Sequence, residues 1–183
     1  MRIIAGEMRS RTILSPKGTE TRPTLDRTRE SLFNIIASRC PDARVLDLYA
    51  GSGALALEAI SRGACSAVLC DCSREASRVI AANITSLRVQ DRARLLTMTD
   101  TQALSLLGRE KARFDLVFLD PPYRLDTAAA CEQMHKEQIL EPGALVIIEH
   151  SASAAPNPGP GYVQTDERKY RDTMITFYRY GEE

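Results

Sequence analysis

Asp120, Pro121, Pro122 and Tyr123 stand directly after an almost wholly apolar run that ends at Leu119. Two adjacent prolines remove two backbone donors and stiffen the chain. The Asp120 carboxylate and the Pro121 carbonyl can then face one point as acceptors, with the Tyr123 ring beside them as a stacking surface. Fixed acceptors beside a flat plate suit an exocyclic amine of a nucleic-acid base. The lone pair of such an amine is delocalised into the ring. Hydrogen bonds from its N–H groups help redirect that lone pair towards a methyl donor. A rigid strand-end turn capped by aspartate would use the same residues. The chemical reading gains weight from a second motif earlier in the chain.

That motif is Asp47-Leu48-Tyr49-Ala50-Gly51-Ser52-Gly53, which closes a short apolar strand and opens a helix. Ligands of open parallel sheets bind at the carboxyl ends of the strands. Glycines there let the backbone approach a ligand, and free N–H groups at the helix start favour a carboxylate or phosphate. Asp71 ends the next strand, about 20 residues beyond Gly51, where a carboxylate can accept from two ribose hydroxyls. A dinucleotide site would place a third glycine where Ala56 stands, so pyrophosphate binding is disfavoured. An acid at Asp47 suits a cofactor with an ammonium-bearing amino-acid tail, which describes S-adenosylmethionine. The candidate cofactor contacts are Asp47, Tyr49, Gly51, Gly53 and Asp71.

The elements that must hold these two motifs follow from periodicity. Residues 2–5 and 11–14 form two apolar runs around a polar turn, a small hairpin. Thr24 can cap a helix running to about residue 39, with Leu25, Thr28, Leu32, Ile35 and Ile36 on one face. Strands are expected at 45–49, 67–70, 93–97, 114–119 and 144–149. Helices are expected between them, near 54–61, 74–87 (capped by Ser73), 101–107 and 127–136. Apolar strands alternating with helices imply a parallel sheet covered on both faces. Two last runs, 162–165 and 173–180, have no helix between them and read as an antiparallel hairpin. The 183 residues are expected to form one domain.

Composition narrows the alternatives. The chain carries no net charge and its mean hydropathy is −0.23, which excludes a generally basic protein. No apolar run is long enough to span a bilayer, and the first residues lack an apolar core of signal length, so a cytoplasmic location is expected. Residues 1–30 hold seven basic residues against four acidic ones. Such a surplus of three fits a phosphate-facing surface or an ordinary solvated face. The five cysteines lack metal-site spacing and read as small core thiols, so no metal is expected. His135 and His150 lie in no motif and read as core or surface residues.

Taken together, Asp47-Leu-Tyr-Ala-Gly-Ser-Gly-Ala-Leu-Ala-Leu-Glu-Ala and Asp120-Pro-Pro-Tyr123 resemble the class I methyltransferases that modify base amino groups. Three N-terminal stretches narrow this: Arg2-Ile-Ile-Ala-Gly, Arg9-Ser-Arg11, and Arg22-Pro-Thr-Leu-Asp-Arg27-Thr-Arg-Glu-Ser-Leu-Phe33. With Ser61-Arg-Gly-Ala64 they are similar to the bacterial small-subunit rRNA guanine-N2 methyltransferase family, RsmD. The likeness runs from residue 2 to about residue 180. It implies an α/β Rossmann-like class I fold: a mostly parallel seven-stranded sheet, an antiparallel C-terminal hairpin and a small N-terminal hairpin extension. It also implies S-adenosylmethionine as cofactor and one guanine N2 of 16S rRNA, within the small ribosomal subunit, as target. By residue, Asp71 would match the ribose-binding acid and Asp100 the acid near the adenine. Asp120, facing both cofactor and base, and Tyr123 would match the catalytic motif. Residues 1–40, with Arg9, Arg11, Arg22 and Arg27, are expected to contact RNA, and residues 41–183 to form the catalytic core of a monomer. Two departures stand out: Ala56 and Arg171 occupy positions where the family more often has glycine. Two alternatives stay open, a methyltransferase of another RNA or DNA base amine and a non-catalytic RNA-binding assembly factor.

Overall fold

The structure, a computed structural model, describes residues 1–17, 23–122, 127–153, 155–171 and 173–181, the side chains of 23–25 excepted. Seven strands form one sheet in the order β3-β2-β1-β4-β5-β7-β6. The strands are β1 (Arg44–Asp47), β2 (Ser66–Cys70), β3 (Ala93–Leu96), β4 (Phe114–Leu119), β5 (Leu140–Ser151), β6 (Tyr162–Tyr170) and β7 (Thr173–Tyr180). The first five pair in parallel, while β7 runs antiparallel to both β5 and β6. The helices are α1 (Pro23–Ile35), α2 (Ala54–Ser61), α3 (Arg74–Leu87), α4 (Asp100–Arg109) and α5 (Thr127–Lys136). This is the class I methyltransferase architecture with its antiparallel C-terminal hairpin.

Local chemistry sets the helix starts. Pro23 opens α1, where its missing N–H costs nothing. The Ser73 hydroxyl accepts from the Ala76 N–H to cap α3. Thr99 and Gln102 form a capping box at α4. The sheet separates two cores. One packs α1, α2, α3 and the N-terminal segment on Val45, Leu69, Leu116 and Phe118. The other packs α4 and α5 on Leu46, Leu48, Val117, Leu119 and Ile148.

Several details differ from the sequence reading. Leu32 and Phe33 of α1 are buried, as is Ile36 just after it, but Ile35 is 40% exposed. The Phe33 ring packs on Phe118, 5.8 Å between centroids, and this turns the apolar stripe away from Ile35. Helix α1 starts at Pro23, so Thr24 lies inside its first turn and does not cap it, and the helix ends at Ile35 with a separate 3-10 turn at Ala37–Arg39; the side chain of Leu25 lies outside the described residues. Strand β5 begins at Leu140 rather than Ala144, because Leu140 pairs with Phe114 across an irregularity that absorbs Pro142 and Gly143. Strand β6 continues through Asp166–Lys169, charges that an exposed edge strand tolerates. Cys40, Cys70 and Cys131 are buried as expected, whereas Cys65 and Cys72 are exposed.

The N-terminal segment folds back on itself through an antiparallel Arg2–Thr12 bridge. Buried polar groups bind it to the domain. The carboxylate of Glu58, fully buried on α2, accepts from the Ile4 and Ala5 N–H groups at 2.8 and 3.0 Å and from Arg62 Nε at 2.8 Å. The Met8 N–H donates to the Ser61 hydroxyl, and the Glu7 N–H to the Ser61 carbonyl. Gly6 has φ +83°, and a Cβ there would meet the Ser61 carbonyl oxygen at 1.8 Å. Only glycine allows so close an approach.

Candidate active site at the carboxyl ends of strands one and four

Strand order reverses between β1 and β4, so the loops after these two strands diverge and leave a crevice. The Leu48 N–H still donates to the Phe118 carbonyl, and the Ala50 N–H to the Cys70 carbonyl. The chain then turns through Gly51 and Gly53 into α2. Gly53 caps the helix at φ +79°, with the Leu69 side chain 2.9 Å from where a Cβ would sit. The Asp71 carboxylate fixes this loop, accepting from the Gly51 N–H at 2.9 Å and the Ser73 N–H at 2.8 Å through different oxygens. Each oxygen keeps a further acceptor position.

Asp47 ends β1 almost completely buried. One oxygen accepts a long bond, 3.4 Å, from the Ala56 N–H. The other, Oδ1, is buried without a partner. Burial raises its carboxyl to about 7, helped by the charges of Asp120 and Asp71 and opposed by the Ala56 bond. A buried, half-satisfied carboxylate lacks a cation or donor. The ammonium of an amino-acid tail supplies both, so the residues present fit S-adenosylmethionine. Tyr49 and Asp100 are brought together: the hydroxyl donates to Asp100 Oδ2 at 2.8 Å. Burial, then this bond, pushes the tyrosine hydroxyl upward, which keeps it a donor.

Asp120 follows β4 and shares an apolar cleft with Glu149 of β5. The walls are Leu32 of α1, Leu55 of α2, Phe118 and Leu119 of β4, Ile147 of β5 and Ile175 of β7. Asp120 is open to solvent on one side and Glu149 is half-buried. Burial raises both carboxyls, and the Asp120 charge raises Glu149 further. For Asp120 the open side limits the shift. Pro121 is half-buried and Pro122 exposed. Tyr123 and Arg22 lie outside the described residues. Helix α1 is held over the cleft by the Phe33–Phe118 contact, by Arg62 stacked 5.0 Å above the Phe33 ring, and by a hydrogen bond between Ser31 and Tyr170.

Arg9, Arg11 and Arg27 are exposed. The Arg11 guanidinium donates to the Ser86 carbonyl at the end of α3, so part of its donor set is committed. The histidines have structural partners: His135 bonds the Tyr180 hydroxyl, and His150 bonds Thr176 and the Ser151 carbonyl.

Two residues at the site escaped the sequence reading. Asn83, 1% exposed, bonds both the N–H and the carbonyl of Leu14 and donates to the Ser52 carbonyl of the glycine loop. It ties the N-terminal segment to that loop, and nothing in a helix-interior asparagine announces this. Glu149 was detectable as an acid closing the apolar run Ala144–Ile148 at the carboxyl end of a strand.

Residues 1–179 match the family described as Conserved hypothetical protein 95. The chain is 32% identical over 181 residues to the Bacillus subtilis protein named "Putative rRNA methyltransferase YlbH", with 98% of each chain covered. It is 41% identical over 124 residues to the Escherichia coli "Ribosomal RNA small subunit methyltransferase D", covering 68% of this chain and 61% of that one. A solved structure described as "Putative methyltransferase yhhF from Escherichia coli" superposes with a TM-score of 0.87 at 32% identity, covering 100% and 99% of the two chains. The likeness thus spans the glycine loop, the Asp120 turn and the N-terminal segment alike, and the chain belongs to this family, that of the RsmD-like methyltransferases.

Proposed function

We propose that this chain transfers the methyl group of S-adenosylmethionine to the exocyclic N2 of a guanine in 16S rRNA of the small ribosomal subunit. The observation that carries the proposal is the setting of Asp120. It leaves β4 at the point where the strand order reverses, close enough to the buried Asp47 to raise it, and at an apolar cleft that Leu55, just past the glycine loop, helps to line. When bound, the cofactor supplies a methyl group already activated on a sulfonium.

The chain's own residues then have separate tasks. Asp47 holds the ammonium, and Asp71 accepts from the ribose hydroxyls with the oxygen positions that Gly51 and Ser73 leave free. Tyr49 and Asp100, bonded to each other, flank the adenine. Asp120 accepts an N–H of the guanine amine, orienting its lone pair and steadying positive charge as it grows on nitrogen. Tyr123 gives the base a stacking face. A base reaches such a cleft only when turned out of its helix. Residues 1–40 contact the RNA backbone in this reading, with Arg9, Arg11, Arg22 and Arg27 on phosphates. Residues 41–183 bind the cofactor and the base. Names of the relatives, which refer to ribosomal RNA and to its small subunit, support the choice of substrate.

The test is product mapping. Purified protein is incubated with S-adenosylmethionine and small subunits from cells lacking the gene, and the 16S rRNA is digested for mass spectrometry. One N2-methylguanosine is expected. Methylation of an adenine or of another RNA, or none at all, would refute the proposal.

A further inference from the structure

The cleft holds two carboxylates where methyl transfer to an amine needs one. In the parallel register of β4 and β5, Phe118 pairs with Ile147 and Leu119 with Ile148, so the next residues along are Asp120 and Glu149. Side chains alternate across a strand, which puts both acids on the face of Phe118 and Ile147. Strands lie about 4.8 Å apart, so the two carboxylates stand side by side at one end of an apolar slot. Neither has a hydrogen-bond partner among the described residues, and the other residues that line the cleft are apolar.

Two adjacent acceptors call for two adjacent donors on one flat edge. Among the four RNA bases, guanine alone has a ring N–H beside an exocyclic amine. Adenine and cytosine each place a ring lone pair beside the amine, and uracil has a ring N–H but no amine. We propose that Glu149 is the specificity-determining residue, its carboxylate accepting the N1–H of the target guanine while Asp120 accepts from the neighbouring N2 amine. This rests on the assignment of Asp120 to the reacting amine. With adenine in the cleft, the Glu149 carboxylate would face the N1 lone pair, a repulsive contact between desolvated acceptors. Burial raises both carboxyls, and the further rise of Glu149 from the Asp120 charge agrees with the two groups standing close together. The two N–H groups of guanine supply the missing donors.

The experiment uses an analogue that keeps the amine and loses the ring donor. Once the target nucleotide is mapped, small subunits are reconstituted with either guanosine or 2-aminopurine riboside at that position. The full-length wild-type chain should prefer guanosine by a hundredfold or more in single-turnover methyl transfer. Glu149→Gln can turn its amide N–H towards the N1 lone pair of 2-aminopurine. It should therefore gain rate on the analogue, lose rate on guanosine, and lower the preference at least tenfold, with unchanged cofactor affinity. An unchanged preference, whether both rates hold or both fall together, would overturn the role of Glu149 while leaving the proposed function intact. Absence of N2-methylguanosine from the wild-type reaction would instead overturn the proposed function, and this inference with it.

Discussion

Replacing Asp47 by asparagine should make the cofactor-free protein more stable and the cofactor weaker. The wild-type carboxyl is buried, has one unpartnered oxygen, and is raised from 3.8 to about 7. Between those values the folded state keeps a proton that the unfolded chain has released. Stability therefore falls as pH rises through this window, and the full cost is present above about 7. Three units at 1.36 kcal/mol each give a ceiling of about 4 kcal/mol. Relaxation of the interior leaves on the order of 2 kcal/mol. For a domain of this size that is roughly 4–8 °C in melting temperature. Asparagine has a similar shape, cannot ionise, and still accepts from the Ala56 N–H. Melting curves without cofactor at pH 8.5 should show the variant higher by about that margin, the gap closing as pH falls from 7 towards 4. Calorimetry should show S-adenosylmethionine bound more than tenfold more weakly, about 1.4 kcal/mol, because the ammonium has lost its counter-charge. Equal melting at high pH together with an unchanged dissociation constant would refute both the strained carboxylate and its role.

Asp71→Ala removes the acceptor that fixes Gly51 and that is proposed to bind the ribose; calorimetry should show cofactor affinity falling more than tenfold, about 1.4 kcal/mol. Replacing Arg9, Arg11, Arg22 and Arg27 together by alanine should preserve cofactor affinity. It should make the salt dependence of RNA binding shallower by roughly 0.7–0.9 in slope per lost phosphate contact. An unaltered slope would leave those side chains merely solvated. Arg171 sits at φ +57° in the turn between β6 and β7. Arg171→Gly should raise thermal stability by about 1 kcal/mol, because an L side chain is penalised there; a lower melting temperature would mean that the side chain has an anchoring role.

Much of this fold could be read from the sequence because the parallel strands are nearly pure apolar runs. Helices α2 and α5 fall where periodicity puts them, and α3 starts at its Ser73 cap. Errors arose where polarity and structure part. Strand β6 carries Asp166–Lys169 on an open edge, and β5 passes through a Pro-Gly pair that reads as a turn. Periodicity could not tell whether Phe33 or Ile35 would face the core, since that depends on Phe118, which lies 85 residues further along. At the site, the glycine loop and Asp120 were legible because their chemistry is local. Asn83 works through contact with the N-terminal segment, which no local pattern encodes, and the placing of Glu149 beside Asp120 depends on cross-strand register. The glycine expected at position 171 also has a structural reason, since the turn needs a left-handed residue.

The central claim is that Asp120 acts on the amine and not on the cofactor or the fold. Single-turnover methyl transfer to small subunits at saturating cofactor separates these roles. Asp120→Ala should slow the chemical step a hundredfold or more, about 2.7 kcal/mol, while the dissociation constant for S-adenosylmethionine stays within about twofold. A variant that keeps most of its rate, or that fails only by losing the cofactor, would make the Asp120 turn a structural element and contradict the account.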